Sequence, residues 1–183
     1  MRDTDWLAPG PILELLQARP IAALGMGAPV EAMRGKLAGI GDADFGRIAD
    51  RRAADACRAA LWLAYDFFDE SHAISQELDT CEGSFWHAVL HRREPDPANA
   101  NYWFRRVGDH PIFGELAKDA AELRYSGMGM DWSPETFVDQ CEEFRDTGSG
   151  AEETCRKVQH AEWSLLFEWC FARAVNAEPP KRS

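Results

Sequence analysis

Four of the five histidines, His72, His87, His91 and His110, fall between Asp66 and Phe113, and imidazole is the side chain best placed to bind a divalent metal or move a proton near neutral pH. His87 and His91 are four residues apart. On a helix that spacing puts both rings on one face about one turn apart, close enough to share an ion. Glu94 extends the row by three more residues, provided the helix persists to Pro95, and His72 can join from a preceding helix. Two or three imidazoles with a carboxylate suit zinc or a similar divalent ion. Without metal, His72, His87 and His91 can act instead as general acids or bases. A structural reading competes: His-x-x-x-His arises by chance, and histidines often close hydrogen bonds between buried helices. Ala88 also stands where a His-Glu-x-x-His zinc-protease motif carries its glutamate.

Arginine gives a second signal. Arg92-Arg93 and Arg105-Arg106 flank Asp96 to Tyr102, and guanidinium groups beside imidazoles can hold a carboxylate or phosphate. Asn99, Tyr102, Trp103 and Arg106 occupy adjoining positions on one side of a helix. The expectation is that Arg93, Asn99, Tyr102 and Arg106, with Gln76, orient a small anionic substrate. The alternative is that these arginines pair structurally with Glu94, Asp96 and Asp109. The run Asp66 to Glu77 is polar where it should approach His87, and burying it is costly unless its groups bind one another, a metal or a ligand. His72 and Ser75 lie nearest its inward face.

The elements that must position these residues are helices, since the apolar spacing is helical throughout and no stretch alternates as a strand does. Pro11 opens a short helix, Ile12 to Ala18, that Pro20 ends. Residues 25–46 carry six glycines; they read as a loop with one short helix, Val30 to Leu37, because Gly25-Met26-Gly27 lacks the strand and the Gly-Lys-Ser/Thr of a nucleotide loop. A long helix is expected over Phe45 to Leu78. Ser84 can cap the next, which Pro95 stops near Arg93. Asp96-Pro97, His110-Pro111 and Ser133-Pro134 open helices running to Val107, Arg124 and Asp146. Ser149-x-x-Glu152 is a capping box for a final helix, Gly150 to Val175, apolar on several sides and so expected at the centre against the Cys57 to Leu78 helix. Gly127 to Trp132 reads as an interhelical loop pinned by Trp132, with a lid as the alternative, and His160 as a core histidine. The fold expected is an all-α bundle of six or seven helices in one domain, residues 1–176, with 177–183 as a frayed tail.

Composition bounds the function. The chain has 183 residues and a formal net charge of −11, which disfavours a nucleic-acid binder that works by neutralising phosphates. Seven tryptophans and 45% apolar residues exclude a disordered acidic segment. The acidity is uneven: Ser84 to His110 carries four arginines against Glu94, Asp96 and Asp109, whereas Pro111 to Cys155 carries three cations against eleven acids. The five cysteines are odd in number and form no Cys-x-x-Cys pair, so neither a disulfide framework nor a thiolate zinc site is written here. No signal peptide or membrane-spanning run is visible, and the expected location is the cytoplasm. No Gly-x-Ser-x-Gly elbow is present, which leaves nucleophilic hydrolase chemistry unsupported.

The stretch Ser84-Phe85-Trp86-His87-Ala88-Val89-Leu90-His91-Arg92-Arg93-Glu94-Pro95-Asp96, followed by Asn99-Ala100-Asn101-Tyr102-Trp103-Phe104-Arg105-Arg106-Val107-Gly108 and His110-Pro111, resembles a motif of uncharacterised bacterial and fungal proteins. Asp69-Glu70-Ser71-His72, with Ile74-Ser75-Gln76, is similar to part of the same pattern. The resemblance implies membership of a family but brings no activity. The chemistry of the residues therefore points to an enzyme acting on a small anionic metabolite, with a non-catalytic binding or scaffold protein as the alternative. Substrate, reaction class and oligomeric state are not written in the sequence.

Overall fold

A computed structural model describes residues 10–127 and 131–178, and most of its helices start on a capping side chain or a proline. Among the described residues there are nine α-helices and no strand: α1 (Pro11–Ala18), α2 (Arg34–Ala38), α3 (Arg51–Ala64), α4 (Phe68–Ser75), α5 (Cys81–Arg93), α6 (Pro97–Val107), α7 (Phe113–Glu122), α8 (Pro134–Phe144) and α9 (Gly150–Val175). The fold is all-α. Asp50, Asp96, Ser133 and Ser149 cap α3, α6, α8 and α9, each side chain accepting from a backbone N–H one turn on. Asn176, in the left-handed conformation, ends α9. Within 177–183, residues 179–183 lie outside the described residues, as do Met128, Gly129 and Met130 of the loop before Trp132. Trp132 itself is buried against Tyr125 and Phe137.

The helix expected to open at His110-Pro111 and run to Arg124 is α7, which starts at Phe113 without a side-chain cap and ends at Glu122, and the helical reading is corrected in three further places. The expected helix from Phe45 to Leu78 is two helices, α3 and α4, broken at Asp66, whose φ of +64° no α-helix accommodates. Neither glycine nor proline marks that break. It is held from outside by Arg93, which binds the Asp66 carboxylate, and by the Tyr65 hydroxyl, which donates to the Leu15 carbonyl at 2.6 Å. Helix α5 starts earlier than Ser84: Thr80 Oγ1 accepts from the Gly83 N–H at 3.0 Å. Gly83 is needed in that first turn, because a Cβ there would lie 2.4 Å from the Leu78 carbonyl oxygen. The helix expected over Val30 to Leu37 is a 3₁₀ turn at Glu31–Met33 running into α2, which ends at Ala38.

Helix α9 packs on α3 as its apolar pattern predicts, and also on α7 and α8. Trp163 joins α9 to α3 through Nε1, which donates to the Ala60 carbonyl at 3.2 Å. The most enclosed helix is nevertheless α5, buried at every position from Glu82 to Arg93 and packed against α3, α4 and α6. No apolar pattern announces this, because its buried positions include Glu82, His87, His91, Arg92 and Arg93. Burying such groups is tolerable only when each is bonded internally. Arg92 is fully buried in a two-pronged contact with the equally buried Glu162 on α9, between the rings of Phe137 and Phe104. One apolar core, running in sequence from Ile12 to Ala174, surrounds these contacts. No helix among the described residues is long and apolar enough to cross a membrane.

Candidate metal centre

The break at Asp66 lays α4 beside α5 so that His72 faces His87 and His91. The His87 and His72 Nε2 atoms are 3.0 Å apart. The His87 and His91 rings stack with centroids 4.7 Å apart, and the His72 and His91 centroids are 5.6 Å apart. One ring nitrogen from each of the three lies within 4.8 Å of the others. This trio is the group of potential metal ligands among the described residues, and no carboxylate or thiol joins it. The i, i+4 spacing on α5 supplies two of its members and the α4–α5 packing the third.

Burial sets the protonation of the two imidazoles on α5. Burial, with His91 and His72 nearby, pushes the His87 imidazole down to about 4, so near neutral pH it carries a free lone pair. His91 is lowered as well, by burial acting against the raising effect of Glu94. Neutral imidazole is the metal-binding form. His87 is 3% exposed and lies flat on Trp103 at 4.1 Å between centroids, while its buried Nδ1 has no protein partner. A buried nitrogen left unsatisfied in a cluster of three imidazoles fits a metal-binding role.

The surrounding residues divide by position. Asn99, on the first turn of α6, has Nδ2 3.1 Å from His91 Nε2. A Glu94 carboxylate oxygen lies 2.8 Å from His91 Nδ1, in a contact bent away from the ring N–H direction. Glu94 therefore touches one imidazole rather than extending the ligand row. Trp103 is the neighbour that sequence spacing grouped with the lining without assigning it a task; its ring covers His87. Arg106 lies over Trp103, 5.2 Å from the centroid, and its 3.8 Å contact with the exposed Asp79 leaves it accessible. Tyr102 is exposed and meets Trp103 edge-on. Gln76, which caps the end of α4, is exposed.

Arg93 stands apart. It is 2% exposed and points away from the trio: Nε donates to Ala23 O, Nη1 to Leu63 O, and Nη2 to Gly25 O and to Asp66. Its donors are consumed in tying the Gly-rich segment and the α3–α4 break to α5. This also accounts for Gly27, where a Cβ would lie 2.0 Å from the Asp66 carboxylate; at Gly25 a Cβ would lie 3.1 Å from Arg145 Cδ. His110 is separate too, its Nδ1 accepting from the Ile112 N–H at 3.3 Å beside Phe85 and Trp169. His160 is partly buried and contacts Arg19 Nη2 through Nε2 at 2.8 Å. Ser75 is buried, with its hydroxyl turned to the His72 carbonyl.

No protein-family profile, no curated protein and no solved structure matches this chain. The function has to be read from the site itself.

Proposed function

We propose that the protein is a divalent-metal-dependent enzyme acting on a small anionic molecule, with His72, His87 and His91 as the metal ligands. The observation that supports this reading is the composition of the cluster: three imidazoles within 4.8 Å of one another and, among the described residues, no fourth protein ligand. Structural zinc sites close their coordination with four protein groups, whereas catalytic sites keep a position for water or substrate. Three neutral ligands also leave the charge of a divalent ion uncompensated, which favours an anionic oxygen at the open position. A bound ion of this kind supplies Lewis acidity and lowers the pKa of a coordinated water.

The chain's own residues supply the rest. His72, the most accessible of the three rings, opens the site towards solvent, and Trp103 excludes water from one face of His87. Asn99 holds His91, and in this reading the exposed Arg106, Tyr102 and Gln76 meet the negatively charged substrate. The protein acts in this reading as a cytoplasmic enzyme, in keeping with five free cysteines. The structural alternative draws on the His87–His72 hydrogen bond and the His87–Trp103 stack, which satisfy part of the network without metal. Metal content of the purified chain, followed by zinc and cobalt titration of the native protein and of His87→Ala/His91→Ala, decides between them. Stoichiometric uptake that the double variant loses supports the enzyme. A native protein that takes up no divalent ion overturns the metal reading and leaves metal-free acid/base chemistry or the scaffold.

A further inference from the structure

We propose that Glu94 is a positioning residue that fixes the tautomer of His91 for metal binding, and that Asn99 covers the His91 lone pair until the metal takes it. This rests on the metal reading above. The Glu94 carboxylate lies 2.8 Å from Nδ1, off the line that a ring N–H hydrogen bond would take, and a negative oxygen that close to a ring nitrogen favours hydrogen rather than a lone pair there. In a neutral imidazole the other nitrogen then holds the lone pair. That nitrogen, Nε2, faces the Asn99 amide at 3.1 Å, and an amide N–H is the donor a lone pair accepts. The two contacts, from opposite ends of the ring, select the same tautomer.

Both partners are built into the α5–α6 turn. Glu94 follows the last residue of α5, its N–H bonded to the Leu90 carbonyl at 3.0 Å. Asp96 ties the turn to His91 itself, its N–H donating to the His91 carbonyl at 3.0 Å, and the Asp96 side chain accepts from the Asn99 N–H at 3.0 Å. The turn is therefore fixed to the backbone of the ligand it orients. Glu94 lies outside the set of mutually close ligand atoms, so its place is behind the ligand, where carboxylate partners of ligating histidines typically stand. Asn99 is reached from the opposite side and must release Nε2 when a metal binds there.

The test uses the full chain with ¹⁵N-labelled histidine. Long-range ¹H–¹⁵N spectra of the metal-free protein read the His91 tautomer directly, and cobalt(II) titration reads affinity and ligand field. The expected result is an Nδ1–H tautomer in the native protein that becomes mixed in Glu94→Ala, with cobalt affinity falling about 10–100-fold. Glu94→Gln, which keeps an acceptor, should recover part of that loss with an unchanged cobalt absorption envelope, because no ligand has been removed. Asn99→Ala should bind cobalt at least as tightly as the native chain. An Nε2–H tautomer in the native protein, native affinity in Glu94→Ala, or a change of coordination number in Glu94→Gln would each overturn the proposal. Should Glu94→Ala not fold, the native tautomer and the Glu94→Gln spectrum decide alone. A native chain with the expected tautomer but no metal uptake overturns the metal reading instead, and the two failures are told apart by the metal-free spectrum.

Discussion

Metal binding to the trio should release fewer protons than three ordinary imidazoles would, and the deficit can be worked out from the burial of His87. An imidazole with an unperturbed pKa of about 6.5 is about 90% protonated at pH 5.5, so a site of three such groups would give up nearly three protons per metal. Its affinity would drop about a thousandfold between pH 7.5 and 5.5. His87, held near 4 by burial and by its two neighbours, is only about 3% protonated at pH 5.5 and releases essentially none. His91 is shifted in the same direction. Proton release at pH 5.5 should therefore stay below two per metal, and the fall in affinity should be about tenfold or more smaller than for ordinary imidazoles. A pH near 5.5 also keeps a metal-bound water largely protonated, so the count reports the ligands. Calorimetric titration of zinc in two buffers of different ionisation enthalpy gives the number directly. Trp103→Ala, which uncovers the face of His87, should raise the count by up to one. Release of close to three protons by the native protein would refute the claim that burial keeps His87 neutral.

Further outcomes follow from contacts elsewhere in the molecule. Glu162→Ala strands the fully buried Arg92 with only Gln159 at 3.5 Å and should cost about 3–5 kcal/mol in denaturant unfolding, whereas replacing both residues by apolar ones should recover most of it; a loss below about 1 kcal/mol would contradict the pairing. Gly27→Ala drives a Cβ into the Asp66 carboxylate that Arg93 holds and should destabilise by about 1–3 kcal/mol, while Gly114→Ala, where a Cβ meets nothing within 4 Å, should not destabilise. Stability should rise with pH between about 4 and 6.5. His87, His110 and His160 are each lowered to about 4 in the folded chain, so in that window the unfolded chain binds more protons. Glu168, raised to about 7 by burial, works in the opposite sense but is one group against three. Urea midpoints at pH 5 and 7.5 measure the balance, and a lower midpoint at pH 7.5 would contradict it.

Much of the scaffold was legible because its instructions are local. A capping side chain and the N–H it accepts from are three residues apart, so Asp96-Pro97, Ser133-Pro134 and Ser149 could be read as helix starts, and the α9 boundaries agree with the expected Gly150 to Val175. The i, i+4 relation of His87 and His91 is equally local, and so is their shared face. His72 could be named as a candidate because its polar neighbours were expensive to bury, although its distance from His87 depended on where α4 would lie.

Tertiary structure decided what local spacing could not reach. Asp66 breaks a helix that its own sequence would continue, because Arg93, 27 residues later, binds its carboxylate. Arg92 and Arg93 are adjacent in sequence and both buried, yet Arg92 meets Glu162 across 70 residues and Arg93 meets Ala23 across another 70. Such pairings bring a guanidinium into the core only when a distant chain segment supplies acceptors, and no residue nearby records that they will. Glu94 is three residues from His91 and lay in plain view, but whether a carboxylate ligates a metal or backs a ligand depends on the angle of the α5–α6 turn. The sequence by itself determined the helices and the chemistry available on one face of α5. Packing decided that α5 is enclosed, that its imidazoles are neutral, and which of its neighbours face them.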